Sequence, residues 1–323
     1  MSIQPATGAA ARPFSISDDQ SIAARITRAD NIYIKNPRTD QVHGLLAFMR
    51  ALGKEANGGV MRGARILGPS GSGKTTAIQT YIEQVNAAEK PDAATIPILY
   101  VPLQAAATPK RLFTDILTAM GDEYAIRGDE QTLRQRTYEY LRRAKVELIV
   151  IDEVQHLYHR EGQKTAWNVT EALKRMLDSG IAPMAFSGTD EALPIFRANR
   201  QLNNRLVEPC DLKPLDIHDP QDRKLFLGFC GYYDRALVKN GILPRESKLI
   251  EGNGLLCLHE IAGGVMGVAA NFIKAALAIA LRRGAEFIET YDLSLATDRW
   301  AIEQGFIDYN PFLEGVRLQR KAT

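Results

Sequence analysis

A chain of 323 residues is long enough to bury one sizeable core plus a smaller companion, and its 40 Lys and Arg against 38 Asp and Glu leave a net charge of only +2. That balance excludes inferring a nucleic-acid or membrane partner from bulk electrostatics, so any charged binding surface must be local. Cys210, Cys230 and Cys257 lie far apart without metal-ligand spacing, and the start MSIQPATGAAARPFSISDDQ has no apolar signal core; both point to free thiols in a cytoplasmic protein.

In chain order, residues 1–27 are rich in Ala, Ser and Pro and then charged, and are expected to form a flexible arm. Val42, Leu45, Leu46, Met49 and Leu52 recur at helical spacing and predict a helix just ahead of the first strand. Strands and helices then alternate: a strand at 63–68, a helix from Lys74 to about Ala87, a strand at 96–103, helices at 109–120 and 129–145, a strand at 147–152, a helix at 163–178 and a strand at 181–189. Continuous apolar strands alternating with helices indicate an α/β fold, a parallel sheet covered on both faces. A last strand is expected in EPCDLKPL, 208–215, after which the pattern turns helical at 219–237, 255–262, 264–283 and 291–303. The stretch at 264–283 is apolar, but Asn271 and Lys274 interrupt it, so it reads as a buried helix and not a membrane span.

The chemistry starts at LGPSGSGKTT. Gly68, Gly73, Lys74 and Thr75 fit G-x-x-x-x-G-K-[ST] between a strand and a helix. The loop of Gly68, Pro69, Ser70, Gly71, Ser72, Gly73, Lys74, Thr75 and Thr76 is expected to wrap the phosphates of ATP with the backbone N–H groups its glycines free, with Lys74 on the β and γ oxygens and the Thr75 hydroxyl on Mg²⁺. The strand LIVIDE delivers two carboxylates at its C-terminal end: Asp152 for the Mg²⁺, and Glu153 to orient or deprotonate the attacking water. In FSGTD, Thr189, with Ser187 second, is placed to sense the γ-phosphate; a hydroxyl there also suits the cap of a following helix. Arg205, with Arg200 in reserve and Arg197 nearby, is the candidate finger for a neighbouring subunit's γ-phosphate. Trp167 and Trp300 are expected to be packing residues, and His156 a structural histidine.

These features, in this order, resemble the AAA+ ATPases. The stretches IYIKNPRTDQVHGLLAFM, MRGARILGPSGSGKTT, YVPLQAAATPKRLFTDILTAMG, LIVIDEVQHL, FSGTDEAL and QLNNRL narrow the likeness to the TniB/TnsC transposition ATPases, relatives of MuB, over about residues 28–300. The resemblance implies a RecA-like P-loop core and a small all-helical lid, with an arm at 1–27, a nucleotide-binding domain at 28–215, the lid at 216–305 and a tail at 306–323. It implies an ATPase that hydrolyses ATP slowly, assembles with itself as a ring or helical filament on double-stranded DNA, and recruits a transposase and a target-selector protein. It places Lys110 and Arg111 on the DNA backbone, with Arg127 nearby, whereas taken alone this helix start reads as solvated. The basic residues Arg134, Arg136, Arg142, Arg143 and Lys145 read as a solvated face. Many AAA+ proteins carry a lid arginine where this chain has Met266 and Gly267, a departure that suits slow hydrolysis. The NPF at 310–312 resembles the ends of TniB-like proteins and is a candidate docking peptide. The competing reading keeps every nucleotide residue but gives the ATPase a protein target, as in remodelling or helicase-loading AAA+ proteins.

Overall fold

The structure is a computed structural model, and it describes residues 16–104, 108–157 and 163–317. In chain order the elements are α1 (Ile16–Asp30), α2 (Pro37–Glu55), β1 (Gly63–Leu67), α3 (Lys74–Glu89), β2 (Ile98–Pro102), α4 (Pro109–Ala119), α5 (Glu130–Arg143), β3 (Leu148–Asp152), α6 (Gln163–Asp178), β4 (Met184–Gly188), α7 (Leu193–Ala198) and α8 (Arg200–Asn203). They continue with α9 (Pro220–Lys239), α10 (Gly254–Ala262), α11 (Met266–Arg282), α12 (Thr290–Ala296) and α13 (Pro311–Glu314). The chain divides into two units: Lys35–Phe226 with Gly263–Val268, and the described parts of Met1–Ile34, Leu227–Ala262 and Ala269–Thr323.

The first unit is built on a parallel sheet in the order β1-β4-β3-β2. Side chains alternate across a strand, so β3 sends Ile149 and Ile151 to one face and Leu148 and Val150 to the other. Ile149, Ile151, Met184 and Phe186 pack with Leu112, Phe113, Leu133 and Leu173 of α4, α5 and α6. Leu148, Val150, Ile66 and Ala185 pack with Val42, Leu46 and Met49 of α2 and Ile78 of α3. Burial on both faces is why these strands read as unbroken apolar runs, each large side chain contributing about 1.5–3 kcal/mol.

The segment expected as a last strand follows the edge of β1 irregularly. Val207 N–H donates to Gly63 O, Cys210 N–H to Arg65 O and Leu212 N–H to Leu67 O, yet only one isolated bridge, Gly63 to Leu206, forms. Pro209 has no N–H, and the Asp211 carboxylate takes the Leu67 N–H at 3.0 Å in place of a backbone carbonyl.

The second unit is all-helical. Residues 16–27, expected within a flexible arm, belong instead to α1, which runs on to Asp30; Ala29 is buried, its carbonyl accepts from the Tyr233 hydroxyl at 3.1 Å, and Asp30 pairs with Lys274 at 2.7 Å. Residues 1–15 of that arm and 318–323 of the expected tail lie outside the described residues. The NPF stretch is packed within this unit: the Asn310 amide donates to Ser294 O and Asp298 Oδ1, Pro311 is buried, and Phe312 stacks on Phe272 with centroids 6.3 Å apart. The NPF is thus folded into the unit and is not a free terminal peptide. The apolar 264–283 stretch is α11 with Phe272, Ile273, Ala276, Leu277 and Ala280 buried, and no single helix among the described residues is long and apolar enough to cross a membrane.

Candidate active site

The P-loop leaves β1 and becomes the first turn of α3. Gly73 caps that helix at φ 91°, a left-handed backbone open to glycine at no steric cost, and no side chain caps the turn. The first N–H groups of the helix thus face outward with the positive end of the helix dipole, the arrangement that receives an anion. Lys74 is buried, and its ammonium donates to Gly68 O at 2.8 Å, Pro69 O at 3.0 Å and Ser72 Oγ at 3.2 Å. Burial lowers its pKa, against the field of Asp152, Glu153 and Asp190, which favours the charged form.

Asp152 shares the face of β3 that carries Leu148 and Val150, so it points to the side where α3 begins. It is 1% exposed. Its Oδ2 accepts from the Thr75 hydroxyl at 3.1 Å and its Oδ1 from Glu153 N–H at 2.9 Å. A hydroxyl and a buried carboxylate converging at the phosphate end of a helix form a hard-oxygen pair suited to Mg²⁺. Among the described residues no cluster of three or more His, Cys, Asp or Glu forms a metal site by itself, so a metal here would depend on phosphate oxygens as well.

Sequence reasoning missed Tyr100. Its hydroxyl donates to the same Asp152 Oδ2 at 2.6 Å, and burial, then Asp152, pushes its pKa well above the ordinary tyrosine range. The available signal was one polar-tipped residue in the apolar run IPILYVPL, on the same strand face as Ile98.

Glu153 follows in a left-handed backbone at φ 60°, unusual for a residue with a Cβ and of a kind that clusters at functional sites. Its carboxylate is 46% exposed, accepts from the Gln155 amide and lies 4.0 Å from the half-exposed His156 ring. Thr189 and Ser187 continue the β4 face that carries Ala185, the same face as Asp152; both hydroxyls are buried and neither has a hydrogen-bond partner. The structure thus brings Lys74, Thr75, Asp152, Glu153 and the β4 end together and leaves Thr189 and Ser187 on equal terms.

Gly267, at the start of α11, donates its N–H to Gly71 O at 3.0 Å, and Gly71 also lies against Val265 and Val268. The segment at the P-loop therefore carries no cation between Val265 and Val268.

The arginines sit apart from this cluster. Arg205 pairs with Asp178 at 3.0 Å, and its carbonyl accepts from Gly63 N–H at the start of β1, the end of the strand opposite the P-loop. Arg197 and Arg200 are exposed on α7 and α8. At the start of α4, which Thr108 caps, Lys110 is exposed, whereas Arg111 is held by Asp115 at 2.9 Å and by the Gln104 amide. Arg127 is exposed and lies over the Tyr124 ring at 4.7 Å. Arg136 departs from the solvated face expected of α5: it ties the α4–α5 loop together through Asp122 at 3.0 Å and the carbonyls of Tyr124 and Arg127. Trp167 departs too, being 43% exposed beside a cleft of about 380 Å³ shared with Phe113 and Arg134, while Trp300 packs on Phe306 at 4.8 Å as expected.

Fold and site together define a P-loop nucleotide-binding protein of the AAA+ class with a RecA-like core and a helical companion. The model of the bacterial TniB protein family matches residues 28–214, more than half of the sequence, and the chain belongs to that family. No curated protein matches it in sequence. Among solved structures it is similar to the Aeropyrum pernix ORC2 protein in ADPNP–ADP complexes, at 16% identity and a TM-score of 0.59, covering 84% of this chain and 70% of that one. It is also similar to the Aeropyrum pernix ORC1 protein in complex with DNA (18%, TM-score 0.57, 82% and 65%) and to Drosophila ORC bound to DNA (14%, 0.55, 92% and 69%). At these identities the likeness concerns the fold, and the chain spans about two thirds of the length of these proteins.

Proposed function

We propose that this protein is an ATP-dependent DNA-binding ATPase that assembles on double-stranded DNA and regulates transposition by marking the target and recruiting a transposase and a target-selector protein. The observation that carries the ATPase part is the meeting of Thr75 and Asp152 beside buried Lys74, with Glu153 on the next residue. Lys74 would exchange its P-loop carbonyls for β and γ oxygens, and Thr75 and Asp152 would hold Mg²⁺, whose charge would neutralise the phosphates. Glu153 takes the proton of the attacking water, and Thr189 faces the γ-phosphate. Arg205 acts in a neighbour's site; its pair with Asp178 is half-exposed and of the kind worth about 0–1 kcal/mol, so exchanging that partner costs little.

Membership of the TniB family supports the DNA and transposition part, and Lys110 and Arg127 are exposed cations able to release counterions from a phosphate backbone. The uncharged segment at the P-loop supports slow turnover, with ATP acting as an assembly switch. Phosphate release measured with ATP and Mg²⁺, with and without duplex DNA, tests the reading. Turnover that DNA stimulates and Lys74→Ala abolishes is expected; DNA-independent turnover would favour a protein target instead.

A further inference from the structure

Gln155 has no role in the chemistry above, yet its one carboxamide makes two bonds that join the ends of two strands. Its Oε1 accepts from Thr189 N–H at 3.0 Å, and its Nε2 donates to the Glu153 carboxylate. A backbone N–H only donates and a carboxylate only accepts, so the two partners dictate the amide's orientation without ambiguity. The packing provides for it independently: a Cβ on Gly188 would fall 2.5 Å from Gln155 Oε1 and 2.8 Å from Val154 Cγ2, so glycine at the end of β4 leaves the space the amide fills.

The sheet order gives the tie its direction. β4 lies between β1, which feeds the P-loop, and β3, which ends at Asp152 just before Glu153. A link from Glu153 to Thr189 therefore draws the carboxylate toward the P-loop side, while the left-handed Glu153 backbone and the exposed side chain would otherwise leave it to solvent.

We infer that Gln155 is a positioning residue that locks the Glu153 carboxylate to the end of β4, so that the water-activating group and the residue facing the γ-phosphate move as one unit. The inference deepens the ATPase reading and rests on it for its consequence in turnover. Gln155→Glu keeps the acceptor for Thr189 N–H but replaces the donor to Glu153 with a second carboxyl, turning an attraction into like-charge repulsion; Gln155→Ala cuts both bonds.

The test has two readouts on the full chain. In steady-state ATPase assays, Gln155→Glu lowers kcat about ten- to a hundredfold, the range for losing a hydrogen bond to a charged group, with the Kd for a fluorescent ATP analogue within twofold of wild type. In amide hydrogen exchange, read without any nucleotide, the Thr189 N–H exchanges faster in Gln155→Ala and also in Glu153→Ala, because the amide has then lost its second anchor. Thr189 exchange indifferent to Glu153→Ala, or a Gln155→Glu kcat equal to wild type, would overturn the inference. A wild-type protein that shows the exchange coupling but hydrolyses no ATP would leave the tie standing and remove the ATPase reading.

Discussion

Tyr100 and Thr75 donate to the same oxygen of Asp152, at 2.6 and 3.1 Å, and the carboxylate is otherwise sealed from water. A buried carboxylate needs such donors, and removing one leaves its lone pair unsatisfied. Tyr100→Phe is expected to destabilise the protein by about 1–3 kcal/mol in urea unfolding near neutral pH. Because Tyr100 is raised in the folded state, its stabilisation is fully present below about pH 10, where unfolded tyrosine is still protonated, and is lost as pH rises through the folded value. Tyr233 is raised as well, so the diagnostic quantity is the difference between wild type and variant. An alkaline stability slope that is the same in both proteins would show that Tyr100 does not carry it.

Gly267 leans on the P-loop closely enough that a Cβ there would stand 2.3 Å from Gly71 O. Gly267→Ala is expected to displace the phosphate loop and weaken binding of a fluorescent ATP analogue about tenfold or more, with a few degrees lost in Tm. Binding within twofold of wild type would mean that the loop tolerates movement of the α11 start.

Much of this was legible in the sequence because it is local. The P-loop, the paired acids and the β4 hydroxyls each occupy a few consecutive residues whose spacing already encodes a turn or a strand end, and the strand and helix ranges followed from apolar periodicity. What was not legible depends on register and on distant packing. Tyr100 reaches Asp152 only because β2 and β3 pair with Pro102 beside Asp152. Gln155 stood in plain view two residues after Glu153, but its partner at Thr189 comes from another strand. The Ala-rich start looked mobile because composition cannot reveal that Ala29 and Asp30 meet Tyr233 and Lys274. The NPF near the terminus looked like a free peptide until Ser294 met Asn310 and Phe272 met Phe312.

If Arg205 acts in a neighbour's site, Arg205→Ala should lower DNA-stimulated turnover by a factor on the order of 10³ while leaving nucleotide affinity unchanged. Glu153→Gln keeps the arginine and lacks the base. An equal mixture of the two inactive variants should recover about a quarter of wild-type turnover, the share of interfaces pairing an intact site with an intact arginine under random assembly. Full activity of Arg205→Ala would move the role to Arg200, and no recovery on mixing two inactive variants would contradict action in a neighbour's site.

On the α4 face the two neighbouring cations are not equivalent. Arg111 is engaged by Asp115, whose pKa is raised by burial in spite of that arginine, whereas Lys110 is exposed. Lys110→Ala should reduce the slope of log K against log salt for duplex DNA by about one unit, and Arg111→Ala should change it less. Equal effects of the two would mean that Arg111 leaves Asp115 when DNA binds.

The measurement that tests the central claim most directly is sedimentation velocity of the full chain with duplex DNA in ATP with Mg²⁺, a slowly hydrolysed analogue, or ADP. The account predicts large DNA-bound assemblies with the triphosphates, their loss in ADP, and their absence in Lys74→Ala. Monomers in every nucleotide, or DNA-bound assemblies indifferent to nucleotide and to Lys74→Ala, would contradict it.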